Sequence, residues 1–235
     1  MIGARGRPGR WSFWTFNWLI HHKTIAALER AAPHASGTLL DVGCATKPFA
    51  PVLAPRVDRY LGIDLPDSRF VLAGPPERRP DVYGRAEALP FRDASLDTVL
   101  GLSMITYLPE PGVFLAEAGR VLRPGGALIL EFTQMAPLHD EPHDYFRYTR
   151  YGAAWLLERA GFTPVEVIPI GGLWARVGLS MIAALNRVNR GPTRVLTEIP
   201  VRLLYVVLQL GCALAEWLFF DPREALSHLV VARKR

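Results

Sequence analysis

Cysteine is scarce in this 235-residue chain: Cys44 and Cys212 are the two, far apart and matching no metal-ligand spacing. A reduced, cytoplasmic setting and no metal centre are the expectations. Internal repeats and low-complexity tracts are absent as well. The body of the chain also lacks excess positive charge. The net charge is +5, but Arg5, Arg7, Arg10, Arg233, Lys234 and Arg235 supply six positive charges from two acid-free ends, so the remainder carries −1. A nucleic-acid groove needs Lys and Arg on the folded body, so nucleic acid is not an expected partner. The aromatic start (Trp11, Phe13, Trp14, Phe16, Trp18) is interrupted by Asn17 and followed by His21-His22-Lys23, without a small-residue cleavage site. A helix over 11–32, ending near Pro33, is the expectation there.

What is present is apolar: half the residues are hydrophobic and mean hydropathy is +0.14. The length suits one α/β domain with an appendage. From residue 38, short apolar runs alternate with helical stretches, the pattern of a parallel sheet. Strands are expected at 38–42, 60–64, 82–85, 96–102, 127–132, 164–170 and 229–233. A helix over 112–122 should stop at Pro124-Gly125-Gly126. Thr149 should cap another helix running to Ala160. The fold expectation is a Rossmann-like, doubly wound seven-stranded α/β sheet, mostly parallel with an antiparallel last strand. Its parts are a helical segment (1–37), a core (38–172), a hydrophobic helical insertion (173–226), and a closing strand with a basic tail (227–235).

The first strand runs Leu39-Leu40-Asp41-Val42 into Gly43-Cys44-Ala45. Small residues at the carboxyl edge of a sheet let a ligand approach the backbone. The second strand ends at Asp64, twenty-three residues after Asp41, where an acid can accept hydrogen bonds from both hydroxyls of a ribose. A tight turn after one strand and a solvated acid after another is the plainer alternative. A nicotinamide dehydrogenase is disfavoured, because the first turn lacks Gly-x-Gly-x-x-Gly.

Further motifs follow in order: Gly62-Ile63-Asp64, Ala86-Glu87-Ala88-Leu89-Pro90-Phe91, Asp93-Ala94-Ser95-Leu96-Asp97, Tyr107-Leu108-Pro109-Glu110-Pro111 and Arg120-Val121-Leu122-Arg123-Pro124-Gly125-Gly126. Together with the first strand, the set resembles the type 11 class I methyltransferases over residues 38–170. The resemblance implies S-adenosylmethionine as cofactor. It implies that Asp41 orients the loop and the cofactor's amino group, and that Gly43, Cys44 and Ala45 pass under the methionine part. Asp64 would hold the ribose, Leu65 pack on adenine, Ala86 and Glu87 cover the adenine edge, and Ser103 line the methyl-donor side. Two positions depart from the family pattern: Ala45 stands where a glycine is usual, and Arg85 where an acid often precedes Ala-Glu.

After the fifth strand comes His139-Asp140-Glu141-Pro142-His143-Asp144-Tyr145-Phe146-Arg147-Tyr148-Thr149. Open α/β sheets place substrates at this edge. Methylating an oxygen often needs a base, because a neutral hydroxyl is a poor nucleophile. His143 is the expected base and Asp144 its orienting partner, with His139, Tyr145 and Tyr148 as acceptor contacts. The run resembles a Pro-His-Asp-Tyr-Phe-Arg-Tyr-Thr signature of bacterial methyltransferases of this type. A polar loop whose histidine pins the next helix is the alternative. Leu102-Ser103-Met104-Ile105-Thr106-Tyr107 lacks the Asn/Asp-Pro-Pro-aromatic loop of enzymes that methylate nucleic-acid amino groups.

Residues 173–190 place Arg176, Ser180, Arg187 and Arg190 on one helical stripe, opposite Leu173, Trp174, Val177, Met181, Leu185 and Val188. Residues 203–220 carry one charge, Glu216, and a polar stripe of Tyr205, Gln209, Cys212 and Glu216. The expectation is a hairpin that packs on the domain or dips into one membrane leaflet; a lid or homodimer interface is the alternative. The functional expectation is S-adenosylmethionine-dependent methyl transfer to a small-molecule, glycan or lipid-like acceptor, at oxygen, in the cytoplasm or at the inner membrane face. The rival is a non-catalytic cofactor-binding or scaffold protein.

Overall fold

Strand β1 (Thr38–Val42) is buried along nearly its whole length, and an apolar run without a polar face belongs where both sides of a sheet are covered. In the computed structural model, which describes residues 14–15, 17–189 and 194–235, β1 is the central strand. It pairs in parallel with β2 (Arg59–Asp64) on one side and β4 (Leu96–Gly101) on the other. Strand β3 (Val82–Tyr83) extends the sheet beyond β2, and β5 (Leu122–Thr133) continues it beyond β4, both in parallel. The last strand, β7 (Ser227–Lys234), runs antiparallel against β5. With β6 (Phe162–Ile170) at the far edge, the order is β3-β2-β1-β4-β5-β7-β6; the seven strands, the parallel core and the antiparallel last strand are as expected.

Helices follow the same logic. Helix α4 (Pro111–Val121) starts on a proline, whose missing N–H costs nothing in a first turn, and buries Phe114, Leu115, Ala118 and Val121 on one face. Thr149 caps α5 (Arg150–Arg159), its hydroxyl accepting from Gly152 N at 3.1 Å. Short helical turns α2 (Ala50–Leu53) and α3 (Arg69–Leu72) follow β1 and β2. Helix α1 is described over Trp18–Ala31; residues 11–13 and Phe16 of the expected helix lie outside the described residues.

The Pro-Gly-Gly block departs from expectation in its role. Helix α4 already ends at Val121, and β5 begins at once with Leu122 opposite Leu96. Residues 123–126 then bulge against Asp97 alone before pairing resumes at Thr98 and Ala127. Gly125 supplies the left-handed backbone this needs (φ 75°). At the closing edge, Lys234 Nζ donates to Leu122 O at 2.7 Å and Arg233 to Gly125 O at 3.3 Å. The basic end of the chain thus serves carbonyls that the bulge exposes.

Two compact units emerge: Ala27–Ile168 with Ser227–Arg235, and the described residues up to Ala26 with Pro169–Leu226. The second contains the expected insertion as α6 (Leu173–Val188) and α7 (Arg194–Leu218). Helix α7 starts upstream of the apolar run at 203–220 and holds Pro200 inside it.

In the sheet unit, the Asp97 carboxylate accepts from Thr38 N at 2.8 Å and pairs with Arg123, joining the start of β1 to the bulge of β5. Gly37 makes room for it: a Cβ there would fall 2.1 Å from Asp97 Oδ2, on a backbone with φ 58°. Gly37→Ala is expected to cost about 1–3 kcal/mol, read as a lower urea midpoint with an unchanged m value; an unchanged midpoint would refute this account of Gly37.

Candidate active site

Three parallel strands, β2, β1 and β4, end side by side, and the turns leaving them form the candidate site. The turn after β1 is bound across the end of β2. Gly43 N and Cys44 N both donate to Ile63 O, at 2.9 and 3.2 Å. Ala45 N donates to Asp64 Oδ2 at 2.6 Å, and Leu65 N to the other oxygen at 2.7 Å. To make these bonds the backbone turns left-handed at Gly43, Ala45 and Lys47 (φ 72°, 48° and 53°). Only the first is free of steric cost. Alanine therefore fits where the family pattern has glycine, but under strain.

Gly62 is demanded by packing: a Cβ there would meet Cys44 Sγ at 2.6 Å and Lys47 Cε at 2.7 Å. Lys47 reaches over it to Asp81 at 2.6 Å, and Asp81 also accepts from Gly62 N at 2.7 Å. Cys44 is buried against this corner, and burial pushes its thiol well above the ordinary value. It is a packing residue, not a nucleophile.

Asp41 is a buried acid one strand over. Burial raises its carboxyl to about 7, while the Tyr60 hydroxyl, donating to Oδ2 at 2.5 Å, pulls the other way. Beside them, the exposed Leu65 flanks the Asp64 loop. Gly84 N donates to Asp64 O at 3.1 Å, which brings Ala86 and Glu87 towards the same edge. Arg85 Nη2 lies 3.7 Å from Glu87 Oε1, an exposed arginine over a half-buried acid.

The 86–93 loop is held by a residue that sequence reasoning missed. Arg120, on α4, donates to the carbonyls of Leu89 and Phe91 and to the carboxylates of Asp93 and Glu117. Glu117 in turn accepts from Leu89 N at 2.8 Å. The three-residue spacing of Glu117 and Arg120 on one helix was the available signal.

Across β4, Ser103 is left-handed (φ 51°) and donates from Oγ to Glu131 Oε2 at 2.8 Å. Glu131 is buried on β5, and Ser227 Oγ donates to its other oxygen at 2.6 Å. Strands β4, β5 and β7 thus meet at one satisfied carboxylate beneath the site.

The 139–149 loop folds back over this edge. Tyr145 N donates to Thr106 O at 3.1 Å, Tyr148 N donates to Thr133 O at 2.8 Å, and Asp140 pairs with Arg69 of α3. Asp144 is the loop's anchor. Its side chain is 1% exposed, Arg147 grips both its oxygens, and His139 N donates to it at 3.1 Å. Arg147 holds the carboxyl at about 2. The expected pairing of Asp144 with His143 is therefore corrected: bidentate arginine geometry occupies the carboxylate. His143 instead has its Nδ1 3.3 Å from the Tyr145 hydroxyl, both side chains being exposed.

His139 is the better-placed imidazole. Its Nδ1 lies 2.8 Å from Pro137 O, and a carbonyl only accepts, so Nδ1 carries the proton. In the neutral ring Nε2 is then the acceptor for the Tyr107 hydroxyl, 2.6 Å away. Tyr107 ends the helical turn after β4, and burial raises its phenol. Sequence reasoning quoted Tyr107 as part of a motif without giving it a role. Its position after the strand adjacent to β5 was the available signal. Tyr148 packs edge-on against Phe132 with centroids 5.2 Å apart, and its buried hydroxyl has no hydrogen-bond partner among the described residues.

The methyltransferase domain family matches residues 40–130. A probable S-adenosylmethionine-dependent methyltransferase of Mycolicibacterium smegmatis is 30% identical over 71% of this chain and 66% of its own length. An uncharacterized methyltransferase of Mycobacterium avium is 31% identical over 75% of this chain and 76% of its own. The chain thus spans just under two thirds of the first relative and about three quarters of the second. Among solved structures, a putative methyltransferase of Bacillus halodurans superposes with a TM-score of 0.56 at 20% identity, covering 89% of this chain and 98% of that one. At that identity the likeness shows the fold.

Asp41 makes the sheet unit pH-sensitive. Its folded-state value, about 7, lies above the ordinary 3.8. The stability it contributes is therefore present at low pH and lost as pH rises from about 4 to about 7, at no more than about 1.4 kcal/mol per pH unit. Asp41→Asn keeps an acceptor for Tyr60 and is expected to flatten that decline in a series of thermal melts. An Asn variant whose melting temperature falls as steeply as the parent's would contradict this.

Proposed function

The chain belongs to the S-adenosylmethionine-dependent methyltransferases, and on that premise we propose that its sheet unit transfers a methyl group to an oxygen of a small-molecule, glycan or lipid-like acceptor. The residues present suit the cofactor. A side-chain-poor, left-handed turn is tied to a carboxylate at the carboxyl edge, and a second, buried acid stands beside it. When bound, S-adenosylmethionine supplies a sulfonium-borne methyl, and transfer is an in-line displacement in which the protein contributes alignment and a water-poor site.

In this reading Asp64 holds the ribose hydroxyls with the lone pairs that Ala45 and Leu65 leave free. Asp41 meets the amino group of the methionine part, and Gly43, Cys44 and Ala45 run beneath it. Leu65 packs on the adenine while Ala86 and Glu87 cover its edge. The backbone at Ser103 lines the methyl-donor side.

The base is His139. The observation that supports it is the Tyr107–His139 hydrogen bond: the Nε2 lone pair is aimed at a hydroxyl, and an acceptor hydroxyl that takes the place of the Tyr107 phenol gives its proton to Nε2 as its oxygen attacks the methyl group. Pro137 fixes the tautomer, and Asp144 with Arg147 positions the loop. His143 and Tyr145 stand at the exposed rim and contact the outer part of the acceptor. Tyr148 offers its unpartnered hydroxyl from beneath.

Calorimetry with S-adenosylhomocysteine tests the cofactor assignment. Binding should weaken about tenfold or more in Asp64→Ala, the loss of roughly one charge-assisted hydrogen bond. Ala45→Gly should bind at least as tightly and raise stability by up to about 1 kcal/mol. A folded parent that binds nothing would sink the reading. The base assignment is separable. With an acceptor in hand, His139→Ala should lower kcat by about 10²–10⁴, whereas His143→Ala should act mainly on KM. Wild-type turnover by His139→Ala would remove it from the mechanism.

A further inference from the structure

The helical unit is amphipathic in the inverted sense. Among the described residues, the stripe of α7 that is buried is its polar one. Tyr205 donates to Asn186 Oδ1 on α6, and Gln209 accepts from Leu19 N at 3.1 Å and donates to Thr15 O at 3.0 Å. Glu216, 1% exposed, accepts from Ala175 N at 3.1 Å, in the first turn of α6, where the helix dipole favours a negative charge. The helices approach closely enough that a Cβ on Gly178 would lie 3.1 Å from Cys212 Cβ. The opposite stripe is apolar and left exposed by the described residues. Ile199, Leu203, Val207, Leu210, Leu214 and Trp217 recur at helical spacing, and its two ends, Ile199 and Trp217, are 74% and 77% exposed.

Water does not favour this arrangement, and a lone exposed stripe of this length marks an interaction surface. The charge distribution chooses the partner. In the full sequence, the helical unit (1–26 and 169–226) holds ten Lys and Arg against four acids, a net +6, leaving −1 for the sheet unit. The four acids are engaged internally: Glu216 caps α6, Glu198 pairs with Arg202, Glu224 with Arg176, and Asp221 with Arg223. The stretch 187–194 carries Arg187, Arg190 and Arg194 and no acid. A second copy docked through the same stripe would set +6 against +6. An anionic lipid surface satisfies both the apolar stripe and the charge.

We propose that the α7 stripe is a membrane-docking face, embedded in one leaflet of an anionic bilayer. The segment Thr197–Leu218 is long and apolar enough to cross a membrane. The chain, however, enters the hairpin from β6 and leaves it into β7, strands of one sheet, so α7 lies along the leaflet. The proposal stands apart from the cofactor assignment, but it favours a lipid-like acceptor for it.

Flotation of the full-length protein on vesicles tests it. We expect flotation with equimolar phosphatidylcholine and phosphatidylglycerol and none with phosphatidylcholine alone. Val207→Glu with Leu214→Glu should abolish it, while S-adenosylhomocysteine binding and the circular dichroism spectrum stay at parent values. Both substitutions fall on exposed positions, so the fold should tolerate them. Absence of flotation on the anionic vesicles overturns the proposal, as does undiminished flotation of the double variant. Equal flotation on both lipids overturns the anionic assignment. A dimer seen by light scattering that the double variant dissolves, without vesicle binding, would assign the stripe to a second copy.

Discussion

A carboxylate at the end of β2 and a left-handed turn at the end of β1 depend on each other. Asp64 can hold Ala45 N at 2.6 Å only if the chain reverses at Gly43 and again at Ala45. The chain can sustain left-handed backbone at Ala45 only because a charge-assisted hydrogen bond stabilises it there. The rest of the edge is built around that bargain. Gly62 is small so that Cys44 and Lys47 can close the corner, Asp81 ties Lys47 down, and Asp41 is enclosed until its carboxyl rises to about 7. A strained turn, a carboxyl raised by burial and a carboxylate bound by two backbone N–H groups meet at the ends of two adjacent strands. Perturbations of this kind cluster where a protein binds or transforms something.

The second half of the site obeys a different constraint. The 139–149 loop has no regular structure to hold it, so it is fixed by polar anchors: Asp144 to Arg147, Asp140 to Arg69, and backbone bonds to Thr106 and Thr133. These anchors decide which histidine is oriented. His139 is held at both ring nitrogens, by Pro137 O and the Tyr107 hydroxyl; His143 has a single long contact to Tyr145. Adjacent-strand topology is what makes the Tyr107–His139 pair, since the two residues follow β4 and β5 and lie far apart in sequence.

The helical hairpin shows how a local pattern can mislead about its environment. Tyr205, Gln209, Cys212 and Glu216 form a polar stripe that would ordinarily face water, yet all four are buried against partners on α6 and near the N-terminal helix. The apolar stripe is left outside. Burial of Glu216 is acceptable because it meets the N-terminal turn of α6, where unpaired N–H groups are available.

The strands, the parallel sheet and its antiparallel closing strand were legible in the residues themselves. An alternation of apolar runs with helices admits few sheets, and Asp41, Gly43 and Asp64 lie at strand ends whose positions the pattern marks. The family match, the parallel sheet and the antiparallel closing strand bear out the fold reading. The Pro-Gly-Gly block was recognisable as a breaker, but not as a bulge, because a bulge is defined by the strand it opposes, here at Asp97. Arg120, Tyr107 and the partners of Asp144 were likewise beyond reach of spacing. Periodicity reports which face of an element is apolar; it is silent on which side chains from distant elements converge. The sequence by itself determined the elements, their order and the acids at their ends. Only the tertiary structure decided which histidine is oriented, what Asp144 binds and which stripe of α7 faces outward, because those outcomes depend on hydrogen bonds between residues that folding, and not the chain, makes neighbours.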